Sequence, residues 1–270
     1  MISTDLKKAI DFVQKKGNEK EVERLKCILE GKKAEPRFIA EFCQLQNSDG
    51  GFPLDMEKGK PSTLTESGFV LRQLEDLNLL QTDVAKKTIK FFIEKQNKDG
   101  SWNESEDIVA YDIPPWINPR DIRVKVLLTA YVGFWLAKYG YSKDGRVRKA
   151  CFLTNYRNEN GAFKGFRHTT WIGASLFAIV HGKESKITKE ALEYLTKIPK
   201  DQWTPSQIGW LLWCLSAANF TKNNKFVKHF LRLLAEGQNS DGSFPSEDGA
   251  EFHINATLEA IKILKHFSST

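Results

Sequence analysis

Asp121, His168 and His253 each stand at the start of a long apolar run, where a carboxyl or imidazole could exchange a proton with a bound ligand. For each of them a plain hydrogen-bonding role is the competing expectation. The same run heads carry Thr65 and Glu66, Arg123, Thr169 and Thr170, Ser206 and Gln207, Glu251 and Asn255. Thr65, Ser206 and Asn255 have the residue types that cap first turns and are assigned to that role. Arg123 and Glu251 are polar groups able to bind a ligand. Trp116, Tyr131, Trp171 and Trp210 add aromatic faces that could wall an apolar chain or steady a cation, with simple core packing as the alternative. The predicted catalytic set is therefore Asp121, His168 and His253, and the predicted binding set is Trp116, Arg123, Tyr131, Trp171, Trp210 and Glu251.

These residues need helices to hold them. Segments 122–140, 169–182 and 205–220 are apolar nearly all round, which predicts buried helices. Segments such as 83–96 and 224–238 carry apolar residues on one side and lysines on the other, which predicts an outer layer. Paired in order, the predicted helices are 35–46 with 63–78, 83–96 with 120–139, 143–156 with 168–182, 188–197 with 204–218, and 224–238 with 252–267. Segments 4–16 and 20–31 supply a sixth pair.

The pairs share a corner. "LQNSDGGFP" at 45–53, "KQNKDGSWN" at 95–103 and "GQNSDGSFP" at 237–245 are near copies, and "YRNENGAFK" at 156–164 is a looser fourth. Such self-similarity calls for a repeat architecture. In each corner a glycine able to take the left-handed conformation ends an outer helix, and the aromatic two residues later folds back onto the helix pair. A degenerate unit is expected within "IPKDQWTPSQIGW" at 198–210. Alternating outer and inner helices close into an all-α, (α/α)6 toroid forming one domain over 1–270, with an open solenoid as the alternative. Asn47-x-Asp49 lacks the further acidic ligands of a calcium loop, and no metal site is predicted.

The bulk properties set limits. With 270 residues and 41% hydrophobic content the chain can bury a sizeable core. No run reaches the roughly 18 apolar residues needed to span a bilayer. The N-terminus shows no secretory signal, so a cytoplasmic location is the default expectation. Net charge is +6, but the lysines are interspersed with glutamates rather than clustered, so no nucleic-acid partner is predicted. A peripheral contact with a lipid surface stays open. Cys27, Cys43, Cys151 and Cys214 form no metal-binding pattern and are read as reduced, mostly buried thiols.

The corners "QNSDGGF", "QNKDGSW" and "QNSDGSF" resemble the QW-type repeats of squalene and terpenoid cyclases, which recur in protein prenyltransferase β-subunits. The resemblance covers about residues 40–267. It implies a toroid that binds an isoprenoid or isoprenoid diphosphate, with magnesium only if the substrate is a diphosphate and otherwise no cofactor. It also implies cyclisation by protonation or prenyl transfer. A single toroid implies a homodimer or a missing partner subunit. The chain departs from the family: the D-x-D-D acid motif, the D-D-x-x-D metal cluster and the Asp-x-Cys zinc pair are all absent. Glu104-x-Glu106-Asp107 has a similar spacing to the acid motif but reads as a solvated acidic loop. The departures leave a non-catalytic toroid that binds a lipid or a protein as a second expectation. Carbohydrate chemistry is disfavoured by inner helices too apolar for a sugar groove. The heads of the inner helices should meet at one rim, where their partial charges would favour an anionic ligand head. Pro114-Pro115-Trp116 is predicted to form a rigid segment across that rim.

Overall fold

A computed structural model describes residues 5–268, apart from the side chains at positions 151, 154 and 155. The side chain of Cys151 thus lies outside the described residues. The described residues form α-helices joined by short turns and one two-residue hairpin pairing, the all-α class expected. The helices are α1 (Leu6–Lys16), α2 (Glu19–Glu30), α3 (Pro36–Leu45), α4 (Leu64–Asp76), α5 (Asp83–Glu94) and α6 (Ile122–Leu136), then α7 (Gly145–Lys149), α8 (Arg167–His181), α9 (Lys186–Thr196), α10 (Pro205–Ala217), α11 (Lys225–Glu236) and α12 (His253–Ser268). β1 (Phe52–Pro53) pairs antiparallel with β2 (Ser62–Thr63).

Local signals set most boundaries. Asn18 and Glu21 form a capping box on α2, and Gly31 at φ 72° ends that helix. Thr204 and Gln207 do the same for α10, with Pro205 in its first turn. The caps expected at Thr65, Ser206 and Asn255 are displaced, because Thr63 caps α4 and Thr204 caps α10. Asn255 instead accepts a 2.6 Å hydrogen bond from Arg24. The third outer helix is also shorter than its predicted span: α7 gives way to a 3-10 segment, Ala150–Tyr156.

The chain divides into two compact units, one comprising 35–191 and the other the residues up to 34 together with those from 192 onward. Within 35–191, α6 packs against α4 and α8, and their apolar faces make the core. Val124, Ala130, Phe134, Trp135, Trp171, Ile172 and Ala174 are completely buried there. Gly68 lets α4 come close to α6, since a Cβ there would sit 2.2 Å from Tyr131 Cε1. Within the second unit, α12 packs against α10, α1 and α2. Leu211, Leu212, Leu215, Leu258 and Ile261 fill its centre.

The repeated corner has one construction in its four copies. Gly50, Gly100, Gly161 and Gly242 have φ of 87°, 90°, 93° and 93°. Two residues on, the N–H of Phe52, Trp102, Phe163 and Phe244 donates to a buried hydroxyl of the following inner helix: Ser67, Thr129, Thr170 and Thr257, at 2.8, 3.0, 3.2 and 2.9 Å. The corner also grips the next outer helix. Gln46 donates to Val84 O of α5 at 3.0 Å, Gln96 to Arg146 O of α7 at 2.8 Å, and Gln238 to Asp5 O before α1 at 2.9 Å. Each glycine lies against backbone one turn further along: a Cβ at Gly50 would stand 2.6 Å from Lys87 O, and one at Gly242 2.3 Å from Lys8 O. The predicted degenerate unit is the turn 197–204, where buried Trp203 packs edge-on to Phe230 at 5.2 Å without any glycine.

Candidate functional site at the head of α4

The first turn of α4 follows β2 directly, and its free N–H groups must find acceptors. Thr63 Oγ1 takes the Glu66 N–H at 3.1 Å. The other two are taken by Glu104, which arrives from the loop after Trp102. Its Oε2 accepts from Leu64 N at 2.7 Å, and its Oε1 accepts from Thr65 N at 2.9 Å and Thr65 Oγ1 at 2.7 Å. Glu104 is 5% exposed. The solvated acidic loop expected at 104–107 is therefore corrected: Glu106 and Asp107 are exposed, but Glu104 is turned inward to satisfy a helix end.

Two backbone N–H donors and the Thr65 hydroxyl favour the Glu104 carboxylate, but full burial outweighs them and pushes its proton affinity above the usual range. Glu66 lies beside it and makes no side-chain hydrogen bond among the described residues. Burial, together with the charges of Asp55 and Glu104, pushes the Glu66 carboxyl up to about 7. Both neighbouring carboxyls are raised by burial, with donors opposing the shift only at Glu104 and like charge adding to it at Glu66. Asp55 sits in the 3-10 turn Leu54–Met56 at φ 55°, followed by Met56 at φ 56°. Lys60 holds it at 2.8 Å and reaches Glu57 at 2.7 Å.

An apolar cluster lies beside this group. Leu54, Ile108 and Ile117 are buried together, with Ile113 packed on them. They come from the Leu54–Met56 turn and from the segment linking Glu104 to α6, which makes 3-10 turns at Glu106–Ala110 and Pro115–Ile117. This is the stretch predicted as a rigid segment. Ile117 anchors it, while Trp116 points outward and is 59% exposed. Asn103 ties its base to its end through a 2.7 Å bond to Pro119 O.

The predicted site residues fall into place as follows. Asp121 caps α6 and pairs with Arg123, whose Nε and Nη2 donate to Oδ2 at 2.8 and 2.6 Å while Nε also reaches Oδ1 at 3.1 Å. That pairing holds its carboxyl below the usual range, so Asp121 is an anion at neutral pH, the wrong state for a proton donor. Arg123 also lies 5.2 Å above the Phe166 ring, which brings the head of α6 to the head of α8. His168, half-buried, stands 4.7 Å from Trp171, and Trp171 is wholly buried. Tyr131 is buried against Gly68. In the other unit His253 opens α12, Glu251 is exposed in the turn before it, and Trp210 is half-buried on α10. Within 35–191 the Arg123–Phe166 contact links the heads of α6 and α8, and Glu104 holds the head of α4. Glu66 and Glu104 are the functional candidates that the sequence set omits. Glu66 was visible as a carboxyl in the first turn of an inner helix; the burial that makes it acid-competent is tertiary. Among the described residues no group of three or more His, Cys, Asp or Glu side chains is placed to hold a metal ion, and no helix is long and apolar enough to cross a membrane.

No family model matches the chain, and no curated protein matches it. Solved structures do. The chain is similar to the type II terpene cyclase MstE from Scytonema in its apo form, at 12% identity over 97% of each chain with a TM-score of 0.64. A variant of that cyclase in complex with geranylgeranyl dihydroxybenzoate, its substrate, matches at 13% identity over 99% of this chain and 97% of the other, also at 0.64. A protein from Actinoplanes matches at 14% identity over 97% and 98%, at 0.63. This likeness shows the fold, which is the terpenoid cyclase-like all-α architecture implied by the corners.

Proposed function

We propose that the protein is a terpenoid cyclase-like enzyme that starts cyclisation of an isoprenoid by proton transfer from Glu66. The observation that carries this is a carboxyl held protonated up to about pH 7 at the head of an inner helix. The similar cyclase from Scytonema takes a geranylgeranyl substrate, which supports an isoprenoid here. The Glu66 proton would pass to a terminal alkene carbon and leave a tertiary carbocation, which neighbouring π bonds attack in turn until a proton is lost, so that product and substrate are isomers. Glu66 then recovers a proton from solvent. Asp55 and, when ionised, Glu104 would favour the positive charge as it develops. Within 35–191, Asp121 and His168 remain candidates for the closing deprotonation and Trp116, Tyr131, Trp171 and Arg123 for contacts to the chain, while His253, Trp210 and Glu251 lie in the other unit.

A second reading, a non-catalytic binder of a lipid or a protein, is favoured by packing. The shallow depression lined by Val147, Leu176, Phe177, Val180 and His181 has no enclosed room even for a water molecule, whereas small-molecule sites begin at roughly 300 Å³. Trp135 and Trp171 expose nothing. Incubation with geranylgeraniol and with geranylgeranyl dihydroxybenzoate, followed by chromatography coupled to mass spectrometry and proton NMR of any new peak, separates the two. An isomeric product with fewer double bonds that is lost in Glu66→Gln supports the enzyme. Lipid copurifying without turnover supports the binder, and neither result would leave the isoprenoid assignment without support.

A further inference from the structure

We infer that residues 105–119 form a flap that lifts off Leu54 as one body and opens a path from solvent to Glu66. The opening is a property of the chain alone. Its use, to admit a substrate and to return a proton to Glu66, rests on the function proposed above.

The segment is long for a link between a corner and an inner helix, and it is built to hold its own shape. Its ends are tied together: Asn103 donates to Pro119 O at 2.7 Å, and Arg120 pairs with Glu106 at 3.2 Å. Compact loops with joined ends and their own packed side chains are frequently functional. Among the described residues, every hydrogen bond and ion pair made by 105–119 closes within 103–121. Asp107 N donates to Ser105 Oγ, Tyr111 N to Ile108 O, and Asp121 N to Asn118 O. None of these bonds has to break for the segment to move.

What holds the segment down is apolar. Ile108 and Ile117 are buried against Leu54, with Ile113 packed on them. The Tyr111 ring adds a contact beneath Lys60 at 5.6 Å. Apolar contact is non-directional, so it parts and re-forms without a bond being left unmade. At the hinge, Asn103 Oδ1 is buried without a hydrogen-bond partner among the described residues, a cost of the closed form that admitting water would relieve. The apolar contact borders the acid on two sides. Leu54 directly precedes Asp55, whose charge acts on Glu66. Glu104 directly precedes the flap and is fixed to α4 by three hydrogen bonds, so it stays in place as the flap turns about the peptide that follows it.

The test labels the carboxyls of the full-length protein with a water-soluble carbodiimide and glycinamide at pH 6 and follows each site by peptide mapping. In the wild type Glu66 should react more slowly than exposed Glu106. Ile117→Ala, which removes apolar contact from the flap, should speed the labelling of Glu66 by at least about tenfold. Amide hydrogen exchange in α6 should stay unchanged, since a local opening leaves the rest of the unit folded. Should Ile117→Ala fail to fold, half-buried Ile113→Ala serves instead. Labelling of Glu66 as fast as Glu106 in the wild type, no acceleration in the folded variants, or exchange in α6 that speeds by the same factor overturns the flap. Acceleration at Glu66 with α6 unchanged supports it even where no isoprenoid is turned over, so failure of the flap and failure of the proposed enzyme are told apart.

Discussion

Replacing Glu66 by glutamine should make the protein more stable in mildly alkaline solution, although it removes the candidate acid. In the folded chain the Glu66 carboxyl keeps its proton up to about pH 7, against a reference of 4.5. Between those values the unfolded chain releases a proton that the folded chain retains, so stability falls as pH rises through the window. At about 1.4 kcal/mol per pKa unit the full penalty is about 3 kcal/mol. It is under about 1 kcal/mol at pH 5 and nearly complete at pH 8. Glutamine is neutral and similar in shape, and it escapes the penalty. Urea denaturation of the wild-type protein and Glu66→Gln at pH 5, 6, 7 and 8 measures it, because the other titrating groups cancel in the difference. The variant's advantage should grow with pH, reaching roughly 6–12 °C in Tm at pH 8. A difference that stays flat from pH 5 to 8, or a wild type that is the more stable at pH 8, refutes the protonation of Glu66 and the acid role built on it.

Three other outcomes follow from the scaffold. Gly50→Ala should cost about 3 kcal/mol or more, from the left-handed backbone plus the clash with Lys87 O. Gly31→Ala, equally left-handed but with open space around it, should cost only about 1 kcal/mol; equal losses by urea denaturation would rule out the close approach as the cause. Thr129→Val should lose about 2 kcal/mol by leaving the buried Trp102 N–H without its acceptor, and an unchanged midpoint would contradict that assignment. Iodoacetamide should label exposed Cys43 in the folded protein well before buried Cys27, whose thiol burial and Glu23 push up to about 11. Peptide mapping reads the order, and faster labelling of Cys27 would refute it.

The helices were legible because periodicity and caps are local. Predicted segments 4–16 and 20–31 became α1 and α2, and 83–96 became α5, each to within a few residues. The misjudgement of 143–156 has a local cause too: its apolar pattern suits a helix, but the chain tightens to 3-10 geometry after Lys149. Cys43 reversed its expected burial because it falls on the outer face of α3, where one residue's shift in phase exposes a side chain. The acid site was out of reach. Nothing in "WNESED" shows that Glu104 turns inward while Glu106 and Asp107 stay in water. That depends on the free amides at Leu64 and Thr65, some forty residues earlier in the sequence. Asp121 failed as an acid for a reason written beside it: Arg123, two residues on, holds it ionised.

The imperfect corner shows best what the repeat does. At 157 an arginine stands where the other three copies have glutamine, so the bond to the next outer helix's backbone is lost. Arg157 instead pairs with Glu190 at 2.6 Å, on the same outer helix whose backbone receives Gly161. The turn before α10 has no glycine, and there Lys200 pairs with Glu236 on α11. What persists through all five is a grip on the outer helix that follows, and the motif is one means of achieving it. The last copy follows the same rule across the whole sequence: Gln238 and Gly242 take hold of Asp5 and Lys8, using α1 as the outer helix that follows α11. A motif so completely used in holding helices has no group left for a ligand. Chemistry must then come from what is added after the corners. After the first comes the strained turn with Asp55, and after the second comes Glu104, and these are the two charges that surround Glu66.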